Sequence, residues 1–91
     1  MNESTSILVC LTTVASREDA RKLAQDLLKR NLAACVQIDA EIESHYRWEG
    51  RDCRETEFRL VIKTAGLNRE PLMERLKQIH PYDQPQIIFV P

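Results

Sequence analysis

An α+β sandwich in the order βαββαβ, with a four-stranded antiparallel sheet and both helices on one of its faces, is the fold this sequence predicts. Three observations carry the prediction. Two segments repeat apolar residues at helical spacing, four stretches carry strand-like apolar runs or alternation, and the two kinds of segment interleave symmetrically along 91 residues. A chain of this length is one domain and buries only about 60–65% of the surface exposed when unfolded, so it gains from association with further copies.

The first strand is Ile7–Thr13, a nearly continuous apolar run rich in β-branched residues, as expected for a central strand. Ser16 then offers a helix N-cap with Asp19 three residues on. Ala20, Leu23, Ala24, Leu27 and Leu28 follow at one-face spacing, and Asn31 suits the left-handed residue that ends the helix. From Ala33 the even positions Ala34, Val36, Ile38, Ala40 and Ile42 are apolar, which predicts a second strand continuing through Tyr46 and Trp48 on the same parity. Glu49-Gly50-Arg51-Asp52 reads as its turn, with Gly50 supplying positive φ. The third strand is Glu57–Thr64, and the two strands form a long hairpin projecting beyond the sheet. Asn68 is the expected cap of a second helix, with Pro71 in its first turn and Leu72, Leu76 and Ile79 as its stripe. His80-Pro81 ends that helix, because a residue before proline leaves the helical region. Gln86–Val90 is the last strand. This arrangement is the ferredoxin-like sandwich, two interlocked β-α-β units, and it leaves one sheet face for a partner subunit.

Charge excludes several roles. Thirteen Lys and Arg balance fourteen Asp and Glu for a net charge of −1, with both signs mixed along the helices. No basic face is available for nucleic acid or an anionic membrane. The opening Met1-Asn2-Glu3-Ser4-Thr5-Ser6 has no basic n-region, and Ile7–Leu11 is too short for a signal peptide or a span. Cys10, Cys35 and Cys53 are odd in number and widely spaced, which fits free thiols in a reducing compartment, so a cytoplasmic location is expected.

Two segments concentrate aromatic and polar residues: Ser44–Gly50 and His80-Pro81-Tyr82. Trp48 and Tyr46 read either as contacts in a subunit interface or as a ligand-stacking wall. His80 reads as a helix terminator or as a metal ligand, and Tyr82 has a hydroxyl that needs a partner if buried. His45 is expected in water, on the strand face opposite Tyr46. Glu57 and Lys63 read as ion-pairing groups on a strand, and Lys63 could alternatively hold an anion in a cleft between subunits. Cys35 is expected to face the sheet or helix layer and Cys53 to be exposed.

Catalysis finds little support. A phosphate-handling enzyme of this fold needs a Gly-rich loop and an arginine after strand one, and Thr13-Val14-Ala15-Ser16 has neither. A soft-metal chaperone needs Cys-x-x-Cys there, and an RNA-recognition module needs aromatics on the central strands. A binding protein is the expectation.

Several motifs occur together: Leu32-Ala33-Ala34-Cys35-Val36, Ser44-x-Tyr46-x-Trp48-Glu49-Gly50, Glu57 ahead of Lys63-Thr64, and His80-Pro81-Tyr82 followed by Pro85. In this order they resemble the CutA family of divalent-ion-tolerance proteins over nearly the whole chain. The resemblance implies a cytoplasmic homotrimer of ferredoxin-like subunits, built like the PII signalling proteins, involved in tolerance of copper or another divalent metal. It also implies an intersubunit cleft, for which Tyr46, Trp48, Glu57, Lys63, His80 and Tyr82 are the candidates, with His80 as the metal ligand. A PII-like sensor of a small anionic metabolite or nucleotide is the alternative. The chain departs from the family pattern at Gln86, where a carboxylate is usual, and at Thr12-Thr13, where Cys-Thr is common. It also ends at Pro91, where relatives continue into a further strand and helix.

Overall fold

The structure, a computed structural model, describes residues 6–90; the expectations for Met1–Thr5 and for the chain end at Pro91 lie outside the described residues. Its elements are β1 (Ile7–Val14), α1 (Arg17–Lys29), β2 (Cys35–Ile38), β3 (Ile42–Trp48), β4 (Arg51–Ala65), α2 (Arg69–Ile79) and β5 (Ile88–Val90). The strands are ordered β2-β4-β1-β5, with β3 paired to the outer part of β4, and every pairing is antiparallel. The fold is the α+β, ferredoxin-like one that the element order predicts.

Local chemistry sets the boundaries of α1. Ser16 Oγ accepts the backbone N–H of Asp19 at 3.1 Å, satisfying one of the free N–H groups at the helix start. At the other end Asn31 adopts φ 58°, the Asn31 N–H donates to Leu28 O and the Leu32 N–H donates to Leu27 O. That pair of bonds is a Schellman closure. Ala20, Leu23 and Leu27 bury the helix against the sheet.

The second helix begins differently from the expectation. Gly66–Asn68 form a 3-10 turn, and Asn68 makes no side-chain cap bond to α2. Its Nδ2 donates instead to Thr64 Oγ1 at 3.0 Å, because the tight turn keeps the side chain beside the end of β4. Leu72 and Leu76 are fully buried, and His80 turns extended, with φ −66° and ψ 134°, before Pro81. The helices are tied by Arg75, whose Nε and Nη2 donate to the two Asp26 carboxylate oxygens at 2.9 and 2.7 Å. That guanidinium holds the Asp26 carboxyl below its ordinary range.

The expected second strand is two strands, so the sheet has five strands and not four. Ile38 pairs with Leu60 and Ile42 with Glu57, which leaves Asp39, Ala40 and Glu41 opposite only Phe58 and Arg59. One extra residue on one strand is a β-bulge. Arg59 pins it, donating from Nε to Asp39 Oδ2 at 2.7 Å while the Asp39 N–H donates to Arg59 O. The bulge has a large consequence. Val36 and Ile38 share a face with the buried Leu60 and Ile62, under the helices. After the bulge, Ile42, Tyr46 and Trp48 share a face with Glu57, Cys53 and Arg51, on the side away from them. The period-two reading placed all of these on one face, and an inserted residue reverses it.

Beyond the bulge β3 and β4 run out as a hairpin, closed by Glu49 and Gly50 at φ 50° and 75°. Two successive positive-φ residues are what a two-residue type I′ turn requires, so the turn is Glu49-Gly50 alone and β4 begins at Arg51 rather than at Glu57. The projection gives the molecule its long dimension, 43 Å against 25 and 23 Å. β5 is shorter than expected, starting at Ile88. On the sheet face away from the helices, Leu11 and Val61 are half-buried while Ile88 and Val90 are exposed.

Candidate functional site

Where the hairpin leaves the sheet, a cavity of about 900 Å³ opens between β3, β4, the end of β1 and the loop after α2. Three of the expected site residues, Tyr46, Trp48 and Glu57, reach it from the hairpin, and Tyr82 reaches it from the loop. Thr13, Cys53, Glu55 and Asp83 join them. Cys53, Glu55 and Glu57 alternate along β4 and therefore share the face of Tyr46 and Trp48.

Each tyrosine serves a carboxylate. Tyr82 Oη donates to Glu57 Oε2 at 2.8 Å, and Tyr46 Oη donates to Glu55 Oε1 at 2.8 Å. The bond to Glu55 pushes the Tyr46 phenol up to about 12, and burial together with Glu57 raises Tyr82 further. Both phenols are therefore protonated donors at neutral pH. Glu57 is only 8% exposed and Thr13 6%, whereas Tyr46 and Trp48 present 42% and 52% of their surface to solvent. The aromatic rings form an open wall above a buried polar floor.

His80 lies beside this floor and stabilises it. Its Nδ1 accepts the Tyr82 backbone N–H at 3.1 Å, so the ring proton is on Nε2, which donates to Thr12 Oγ1 at 2.9 Å. Its ring is tilted 54° against Tyr82, with centroids 5.1 Å apart. Burial lowers its pKa, so it is neutral at pH 7. With both nitrogens engaged and the residue 8% exposed, His80 has no lone pair to give a metal; its position fits a structural pin that orients Tyr82.

Lys63 is not brought to the cavity. It pairs with Val9 and Cys35 near the other end of β4, six residues and roughly 20 Å of strand from Glu57. Cys35 is exposed because its odd position in β2 turns away from the helices, and Cys53 is half-buried because it faces the cavity. His45 is exposed as expected, bonded through Nε2 to Glu43 Oε1 at 2.7 Å, although it also borders the cavity rim. Cys10 packs in the core, and burial pushes its thiol up to about 12. Among the described residues, no group of three or more His, Cys, Asp or Glu is placed to hold a metal ion.

The chemistry of the lining is one-sided. Among the described residues it carries three carboxylates, Glu55, Glu57 and Asp83, and neither a lysine nor an arginine. Thr13, Glu55 and Asp83 escaped the sequence reading. The signal for Glu55 was its alternation with Glu57 and Cys53, concealed by starting the third strand at Glu57. Thr13 read as the end of a core strand, and only the fold sets it beside Glu57.

Fold and site together define a ferredoxin-like domain with a projecting hairpin and an acidic, aromatic-walled cavity at its root. The family model described as CutA1 divalent ion tolerance protein matches residues 8–91, and the chain belongs to that family. The chain is similar to the divalent-cation tolerance protein CutA of Thermus thermophilus, 42% identical over 83 residues covering 91% of this chain and 81% of that protein. It is 43% identical over 84 residues to the chloroplastic protein CutA of Arabidopsis thaliana, covering 92% of this chain but only 46% of that longer protein. Among solved structures, CutA1 of Oryza sativa superposes with a TM-score of 0.92 at 37% identity, covering 99% of this chain and 83% of that one.

Proposed function

We propose that the chain is one subunit of a cytoplasmic homotrimer that binds cations in divalent-metal tolerance, with copper among them, and does not catalyse a reaction. Relatives named divalent-cation tolerance proteins support the metal role. The observation that carries the reading is the cavity lining, which among the described residues has three carboxylates and no lysine or arginine, and so attracts positive charge and repels anions. The same lining speaks against the anionic metabolite or nucleotide, since its expected partner Lys63 lies elsewhere. Carboxylate, hydroxyl and amide oxygens suit hard divalent ions, and Cys53 adds a soft donor of the kind copper prefers. A single chain does not gather three ligands among its described residues, so a metal site in this reading takes donors from more than one subunit. The apolar open face, with Leu11, Val61, Ile88 and Val90, supports association through that face. Free thiols at Cys10, Cys35 and Cys53 suit a reducing compartment.

Calorimetric titration of the purified assembly with Cu(II), Zn(II) and ATP tests the reading. Metal binding at micromolar concentration with no ATP response is the expected result; ATP binding without metal binding would reverse the assignment. Light scattering that gives a monomer would remove the trimer.

A further inference from the structure

The cavity floor contains two residues of low exposure, Glu57 and Thr13, whose side chains line the open cavity. Glu57 receives one hydrogen bond, from Tyr82 to Oε2, and among the described residues no lysine, arginine or histidine pairs with it. Thr13, buried to the same degree in the same lining, makes no side-chain hydrogen bond to another described residue. Above both lie the exposed faces of Tyr46 and Trp48.

From this arrangement we infer that the Glu57–Thr13 corner is a receptor for an alkylammonium group. The inference rests on the cation-binding reading of the cavity and names a ligand class that reading does not. An ammonium has three N–H donors and no acceptor, and Glu57 Oε1 and Thr13 Oγ1 are two acceptors in the cavity lining that no other described residue engages. Its alkyl chain lies along the rings of Tyr46 and Trp48, which also attract positive charge through their faces. At this corner the Tyr82 hydroxyl already occupies one Glu57 oxygen, which leaves Oε1 for a donor from the ligand. The ammonium has two sources, a free organic amine or Lys63 of a second copy. Lys63 is exposed on the same open sheet face and makes no ion pair in its own chain among the described residues.

Trp48 is the only tryptophan in the sequence, so its fluorescence reports on this cavity alone. The full chain is titrated with 1,5-diaminopentane in metal-free buffer, with glutarate as the dianion of equal chain length and sodium chloride matched for ionic strength. The diamine is expected to give a saturable change that glutarate does not. Glu57→Gln, which keeps an acceptor for Tyr82, is expected to weaken binding by at least about tenfold, and Thr13→Val by about threefold to tenfold. Circular dichroism checks that both variants fold. Saturation of the wild-type chain assigns the corner to a free amine. Saturation only in Lys63→Met, with a smaller assembly by light scattering, assigns it to Lys63 of a second copy. An equal response to glutarate, no response in either chain, or diamine binding undiminished by Glu57→Gln overturns the inference. Because the buffer is metal-free, failure of copper and zinc to bind removes the metal reading and leaves this result standing.

Discussion

Replacing Tyr82 with Phe isolates the bond that holds the cavity floor together. The ring stays, so its tilted contact with His80 and the backbone bond to His80 Nδ1 survive. Only the hydroxyl is lost, and with it the 2.8 Å donor to Glu57 Oε2. A hydrogen bond to a charged group is worth about 1.5–3 kcal/mol, and Glu57 is too buried for bulk water to replace the donor fully. The variant is therefore expected to lose about 1.5–3 kcal/mol of stability. For a domain of this size each kcal/mol moves Tm by about 4–8 °C, so a fall of at least about 6 °C is expected by thermal denaturation at constant protein concentration. Glu57→Gln and the double variant complete a cycle that separates the pair from general disruption. A coupling below about 0.5 kcal/mol would mean that Tyr82 and Glu57 do not act as a pair, and the account of the floor given above would be wrong.

The other perturbations probe separate parts of the fold. His80 is buried neutral with its pKa depressed below the ordinary 6.5, so its contribution is complete above that value and is lost as pH falls from there toward the folded-state pKa. Denaturant titrations between pH 8 and 5 should show that decline, and His80→Gln should flatten it; an unchanged slope would place the sensitivity elsewhere. Leu76 is fully buried under the helix layer, so Leu76→Ala should cost about 2–5 kcal/mol in the same denaturant assay. Gly50 has φ 75° with open space where a Cβ would point, so Gly50→Ala should cost about 1 kcal/mol from backbone conformation alone. Gly50→Asn should recover part of that loss, since Asn tolerates the left-handed region.

Much of the fold was legible because local chemistry announces it. Ser16, Asn31 and His80-Pro81 mark helix ends with groups that have few other uses, and the structure places each in that role. Gly50 marked the turn in the same way. The bulge at Asp39–Glu41 was not legible. The even positions remain apolar straight through it, and one inserted residue changes the face without interrupting the alternation. The site was half legible for a related reason. Lys63 and Glu57 share a strand face but sit six residues, roughly 20 Å, apart, and the family resemblance made both candidates for a cleft between subunits rather than within one chain. Thr13 and Glu57 are 44 residues apart in sequence and meet only because β1 pairs with β4. Asn68 shows the limit of cap rules, since a preceding 3-10 turn gave its side chain a nearer partner in Thr64.

The bulge also links assembly to binding. By turning Tyr46 and Trp48 away from the helices it puts the cavity mouth on the same side of the sheet as Leu11, Val61, Ile88 and Val90. Any assembly that covers this apolar surface alters the solvent exposure of the cavity next to it, and burial strengthens the electrostatic attraction of Glu57 for a cation. A ligand that prefers the assembled form must then stabilise the assembly by RT ln(1 + [L]/Kd), about 2.7 kcal/mol at a hundredfold excess over Kd. Dilution measured by light scattering should therefore show the dissociation midpoint moving to lower protein concentration as cation is added. A midpoint indifferent to the ligand would mean that the cavity is complete within one chain, and that the apolar face and the acidic cavity are neighbours without being coupled.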